Sequence, residues 1–197
     1  MTASPSLAAV IARGGVALIG VDTVYGLCCD AQDAAAAQRL VRLKLRASAK
    51  PTAVAFFSLQ AAFDALPELG PRTRAAVAAL LPGPLTLLLP NPAGRFPLAG
   101  GGGLLGVRVI DVGPDAGRPV LLTSANLAGG PEARTLAEVS AEIRAGVDLE
   151  LDRGPLPGTP STVIDLGELE ADGAWSVVRA GAVAASAVEL ALVGSWG

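Results

Sequence analysis

Punctuation sets the limits on what this chain can become. Its 197 residues include 24 glycines and 15 prolines, spread so that no conformation runs far before it is interrupted. The longest candidate apolar run, residues 80–89, is itself cut by Pro82 and Pro84. It falls well short of the roughly 20 apolar residues a membrane helix needs. Residues 1–15 carry no basic leader ahead of their apolar stretch, and Arg13 follows it, so a signal peptide is not expected. The pattern therefore predicts many short elements in a soluble, cytoplasmic α/β protein rather than a helical bundle.

The elements can be placed along the chain. Ser6 caps a helix over 7–12 that stops at Gly14-Gly15, and Asp33 opens another with Ala36, Leu40, Leu43 and Ala47 on one face. Ser58 caps a helix over 59–66, and further helices are expected over 71–81, 135–144 and 184–192. Apolar runs at 16–19, 53–57, 85–89, 104–109, 120–123, 149–151, 162–166 and 175–178 have the length of strands. In places two strands follow each other directly. The expected fold class is thus a single-domain, twisted, open mixed sheet with helices on its faces, spanning residues 1–197. The run Gly100-Gly-Gly-Gly103 reads as a surface hinge, since it lacks the Lys-Ser/Thr of a phosphate-binding loop.

Charge narrows the chemistry. The net charge is −3, yet both lysines and three arginines, one third of the fifteen basic residues, fall within residues 39–50. Histidine is absent, which removes the commonest general base and metal ligand. The only cysteines, Cys28 and Cys29, are neighbours, so no disulfide framework and no zinc site is expected. A protein built this way works by gripping anions and orienting groups.

Five segments concentrate polar groups at predicted strand or helix ends: Asp22-Thr23-Val-Tyr25-Gly26, Lys44-Leu-Arg46, Arg108, Thr123-Ser124-Ala-Asn126, and Ser161-Thr162-Val-Ile-Asp165 with Arg179 downstream. Ligands of open α/β sheets bind beyond strand ends. Hydroxyls and amides there bond phosphate or carboxylate oxygens, and Arg can hold two at once. Each segment also has a plain structural reading: turn caps for Ser124 and Asn126, a solvated helix end for Lys44 and Arg46, and an ordinary turn and core tyrosine for Asp22 and Tyr25. Arg108, inside an apolar strand, could equally pair with Asp111 or another carboxylate, because an unpaired buried guanidinium costs several kcal/mol, about the penalty for burying a lone charge.

Taken together, these segments resemble one family. Lys44-x-Arg46 with Ser124-x-Asn126 is similar to the four-residue signature of the YrdC-like threonylcarbamoyl-AMP synthases, in their short bacterial form. Asp22-Thr-Val-Tyr-Gly-Leu27, Lys50-Pro51, Pro82-Gly-Pro-Leu-Thr86, Gly106-Val-Arg108-Val, Ser161-Thr-Val-Ile-Asp165 and Arg179-x-Gly181 resemble its other motifs in order. The resemblance implies a YrdC-like sheet with a large, positively lined cavity. It implies a nucleotidyltransferase that joins L-threonine, bicarbonate (or CO2) and ATP into threonylcarbamoyl-AMP and pyrophosphate for N6-threonylcarbamoyladenosine in tRNA. The ATP would carry Mg2+ on its phosphates, and no dedicated metal site is implied. A downstream threonylcarbamoyl-transferase complex would consume the product. RNA contact is possible, and no membrane is involved. On this resemblance Lys44, Arg46, Ser124 and Asn126 are the catalytic set and, with Arg179, the ATP-binding set; Thr23, Arg108, Ser161 and Thr162 bind threonine. The chain departs from the pattern at Gly20-Val21, where Pro-Thr is usual, and at Ala47, where Pro follows Lys-x-Arg. Two alternatives remain at this level: an RNA-binding module of the same fold, and a carbamoyl-transfer enzyme with another acceptor.

Overall fold

Short buried strands, each stopped by a glycine, proline or polar turn, build the frame. The computed structural model describes residues 5–44, 50–127 and 129–194. Nine strands form one sheet: β1 (Ala17–Gly20), β2 (Tyr25–Asp30), β3 (Ala53–Phe56), β4 (Leu85–Pro90), β5 (Leu104–Val109), β6 (Val120–Ser124), β7 (Leu149–Leu151), β8 (Thr162–Asp165) and β9 (Ser176–Arg179). Their order is β7-β1-β2-β6-β3-β5-β4-β8-β9. The pairs β1/β7, β3/β5 and β4/β8 are parallel and the rest antiparallel, which is the mixed sheet expected.

The helices are α1 (Leu7–Ala12), α2 (Ala34–Leu43), α3 (Leu59–Ala65), α4 (Pro71–Leu80), α5 (Ala141–Ala145), α6 (Leu169–Asp172) and α7 (Ala185–Gly194). Local chemistry fixes their starts. The Ser6 hydroxyl accepts from Ala9 N–H, the Asp33 carboxylate from Ala35 and Ala36, and the Ser58 hydroxyl from Ala61. One expected helix, over 135–144, is not continuous. Leu136–Glu138 form a 3-10 turn, Val139 returns to extended backbone, and Ser140 caps the separate α5 through Ile143 N–H. A serine in mid-pattern offers the backbone an alternative partner and restarts the helix. Two elements were not legible in the sequence. Strand β2 is buried on both faces, so no period-2 pattern marks it, and α6 is a single turn.

The sheet's two faces have different covers. Leu18, Leu27, Val54, Phe56, Leu87, Leu89, Leu105, Val107 and Ile164 point to one face and merge with α2 through α7 in the larger core. The residues alternating with them at one end, among them Ala17, Ile19, Cys28, Ala55 and Leu122, pack with Leu7, Val10 and Ile11 of α1 in a second core. Helix α1 covers only that end. Beyond that end, the cavity lies on the second face, lined by residues of β2, β3, β4, β5, β6 and β8. The adjacent Cys28 and Cys29 therefore point into different cores, both fully buried; burial drives both thiols up, Cys29 to about 12.

Candidate active site

The second face bounds a cavity of about 660 Å3. Strand alternation makes its floor: Thr86 and Leu88 of β4, Leu104, Gly106 and Arg108 of β5, and Val163 of β8 face it while their neighbours face the helices. Lys44, Lys50, Arg108 and Arg179 supply positive charge around it, and Glu132 is the one carboxylate among the described residues that line it. Glu132 Oε2 is buried without a hydrogen-bond partner among the described residues.

At one end, α2 delivers Lys44, its C-cap residue, to the end of β6. Lys44 is 4 % exposed. Its Nζ donates to the Ser124 carbonyl and, at 3.1 Å, to Asn126 Oδ1. The Ser124 hydroxyl donates to the same Oδ1 at 2.6 Å, and Asn126 Nδ2 donates to the Gly130 carbonyl at 2.6 Å. The acceptors of this buried ammonium thus include a carbonyl, a side-chain amide and, at 3.5 Å, the Ser124 hydroxyl, at a helix C-terminus where the dipole favours a cation. Sequence reasoning named four residues here, and the structure brings three of them together. The fourth, Arg46, lies outside the described residues, as does Ala47.

At the other end, Arg108 is 7 % exposed and its Nη2 donates to Asp22 Oδ1. Its partner is therefore Asp22, from the β1–β2 loop, and not Asp111, which is exposed. Arg108 Nε is buried without a partner among the described residues. The Thr23 hydroxyl donates to the same Asp22 oxygen at 3.5 Å. Beside them, the Thr86 and Ser161 hydroxyls share a hydrogen bond of 2.9 Å, and Arg179 Nη2 donates to the Ser161 carbonyl and hydroxyl at 2.7 and 3.2 Å.

Thr162 goes elsewhere. It is fully buried and absent from the cavity wall, and its hydroxyl donates to the Val183 carbonyl at 2.7 Å and accepts from Val183 N–H at 2.9 Å. The expectation that Thr162 lines a threonine pocket fails because consecutive strand residues face opposite ways, and Ser161 takes the cavity side. Sequence reasoning missed Thr86 as a site residue although its motif was noted; strand alternation from Leu87 and Leu89 would have placed it. Nothing in the sequence marked Glu132.

A strap closes one wall. Residues 152–161 connect β7, at one sheet edge, to β8, next to the other. The Tyr25 hydroxyl donates to Asp152 Oδ1 at 2.5 Å and accepts from Arg153 N–H at 2.9 Å. Burial, then this bond, holds the Tyr25 phenol above its usual range, and the bond from Tyr25 holds Asp152 below its own. Further on, Gly158 N–H donates to the Thr23 carbonyl at 2.9 Å. At Gly20 a Cβ would stand 3.0 Å from Arg153 Cβ of the strap, a tight approach that Arg153 would have to relieve by a few tenths of an ångström. The tetraglycine run is exposed, as a surface hinge would be, but it also forms rim: Gly101 lines the cavity at φ +96°, where a Cβ would meet the Leu104 carbonyl at 2.5 Å. Among the described residues no three His, Cys, Asp or Glu side chains gather into a metal cage, and no helix is long and apolar enough to cross a membrane.

Known proteins share this fold and sequence pattern. The family model Sua5/YciO/YrdC, described as telomere recombination, matches residues 9–181. The threonylcarbamoyl-AMP synthase of Thiobacillus denitrificans is 35 % identical over 171 residues, covering 83 % of this chain and 91 % of its own length. That of Chromohalobacter salexigens is 36 % identical over 167 residues, covering 80 % and 89 %. Among solved structures, P. abyssi Sua5 complexed with L-threonine superposes with a TM-score of 0.81 at 26 % identity. The match covers 93 % of this chain, which spans only 55 % of that Sua5 chain.

Proposed function

We infer the activity of this chain from the fact that it belongs to the Sua5/YciO/YrdC family: it is an enzyme that makes L-threonylcarbamoyl-AMP and pyrophosphate from L-threonine, bicarbonate or CO2, and ATP. The observation that carries the reading is that the Lys44–Ser124–Asn126 cluster and Arg108 line one cavity.

The chemistry needs little besides positioning. Threonine's amine, once its ammonium has lost a proton, adds to CO2 (bicarbonate first takes up a proton and loses water) and gives up a second proton to solvent, forming a carbamate. A carbamate oxygen then attacks the α-phosphorus of ATP, and the bond from that phosphorus to the bridging oxygen of the β-phosphate breaks, releasing pyrophosphate. Both reactants are anionic, so charge neutralisation and alignment dominate the barrier. Lys44, with Arg46, takes the phosphates or the carbamate together with the α-phosphate. Ser124 and Asn126 bond phosphate or ribose oxygens, and Arg179 reaches the nucleotide. Arg108 clamps the threonine carboxylate, with Thr23 and Ser161 in the same pocket. ATP enters as its magnesium complex, the metal held by phosphates and water. One YrdC-like domain carries the whole reaction, in the cytoplasm, and hands its product to a threonylcarbamoyl transferase acting on tRNA.

The test is one assay. ATP, bicarbonate and L-threonine are supplied together and pyrophosphate is followed, with each component left out in turn. Release should require all three. Release that persists without threonine would refute the reading, as would none with the full set.

A further inference from the structure

We propose that Asp22 is the positioning residue of the amino-acid half of the cavity, holding the Arg108 guanidinium and the Thr23 hydroxyl in register for the α-carboxylate of the substrate. This rests on the functional reading above and adds to it a residue that acts through two others.

Three observations carry it. First, a single oxygen, Asp22 Oδ1, accepts from both Arg108 Nη2 and the Thr23 hydroxyl. Second, Asp22 stands behind the wall: Val21 and Thr23 on either side of it line the cavity and Asp22 does not. It therefore fixes the groups that meet substrate without meeting it. Third, Arg108 is left with donors to spare. It is 7 % exposed, one bond goes to Asp22, and Nε has no partner among the described residues. A guanidinium has five N–H donors, and burying it with Nε left unpaired is unfavourable. An incoming carboxylate supplies the missing acceptors, and it can do so only if Asp22 holds the guanidinium at the wall.

The contrast with the Lys44 end shows why such a residue is needed. There the acceptors include a carbonyl and a side-chain amide. At Arg108 the holder is an anion. It balances the charge of the guanidinium and still leaves a donor for a second carboxylate.

The experiment reads KM for L-threonine and for ATP separately in the pyrophosphate assay, for the wild type, Asp22→Asn, Asp22→Glu, Arg108→Gln and the double variant Asp22→Asn/Arg108→Gln. Asp22→Asn should raise the threonine KM about tenfold or more, the scale of a lost charge-assisted bond, and leave the ATP KM within about twofold. Asp22→Glu should recover part of the loss. In the Arg108→Gln background, Asp22→Asn should raise the threonine KM by less than it does in the wild type, because only the Thr23 contact is then left to lose. An unchanged threonine KM in folded Asp22→Asn overturns the proposal, as does an equal rise for both substrates. If Asp22→Asn does not fold, the double variant is compared with Arg108→Gln alone: a further rise in threonine KM below about tenfold supports the proposal and a rise of about tenfold or more overturns it. Calorimetric titration of L-threonine into the same variants separates this proposal from the functional one. A wild type that binds threonine but releases no pyrophosphate defeats the reaction while still testing Asp22.

Discussion

The two faces of the sheet are made by the same strands and obey opposite rules. On the helix side Leu87, Leu105, Val107 and Ile164 are fully buried or nearly so, and each hydrocarbon atom meets another. One residue along, Thr86, Gly106, Arg108 and Val163 face a cavity and carry hydroxyl, glycine, guanidinium and methyl groups. The first face is specified by hydrophobic burial, which is non-directional and strong in sum. The second is specified by hydrogen bonds that hold side chains to within a few tenths of an ångström. Substitutions on the first should cost stability, and on the second chemistry.

The largest effect should come from the cavity side. Lys44→Ala should lower the rate of adenylate formation by about 100- to 1,000-fold, the range for losing one preorganised electrostatic contact, while circular dichroism shows a folded protein. Next is its opposite. Leu87→Ala should cost about 2–5 kcal/mol of stability in a denaturant titration and leave both substrate KM values unchanged. If Leu87→Ala altered KM as strongly as Lys44→Ala altered rate, the division between faces would fail.

A sharper comparison uses neighbours in sequence. Ser161→Ala removes the hydroxyl bonded to Thr86 and contacted by Arg179, so the threonine KM should rise several-fold, on the scale of one hydrogen bond. Thr162→Val removes a hydroxyl that serves only Val183. It should lower stability by about 1–3 kcal/mol, the cost of leaving a buried backbone group unsatisfied, with kinetics intact. Thermal melts and substrate titrations of the two variants give the answer side by side.

The smallest effect is electrostatic and belongs to neither face. Glu68, Asp148, Glu150, Asp152 and Glu170 all titrate below their ordinary values, for instance through the Arg95 bond to Glu68, the Arg144 bond to Glu150 and the Thr73 N–H to Glu170. Their folded values are depressed. The stability they contribute is therefore present above the normal carboxylate range and is lost as pH falls through the folded values. The melting temperature should be flat near neutrality and decline below about pH 4. A melting temperature that rose on acidification would contradict these pairings.

How much of this was legible in the sequence differs between the faces as well. Capped helices, apolar strand runs and the mixed sheet could be read because period and capping are local. Strand β2 could not, since burial on both sides erases alternation. The break at Ser140 was visible only as a serine inside a helical pattern. In the cavity, Lys44, Ser124, Asn126, Ser161 and Arg179 stand out as polar groups near element ends and Arg108 as a charge inside an apolar strand; their site roles come from the family resemblance, and all six line the cavity. Asp22 as the partner of Arg108 was not foreseen, because residues 86 apart in sequence meet only through the order of the strands. Thr162 was misplaced for the simplest reason: a strand turns every second side chain away.

The claim that both reactants share one hollow is tested most directly by crystallising the protein with L-threonine, bicarbonate and ATP and locating the adenylate. The account predicts its phosphate beside Lys44, Ser124 and Asn126 and its threonine carboxylate on Arg108. Density for the nucleotide or the amino acid outside this cavity, or a threonine carboxylate turned away from Arg108, would contradict it.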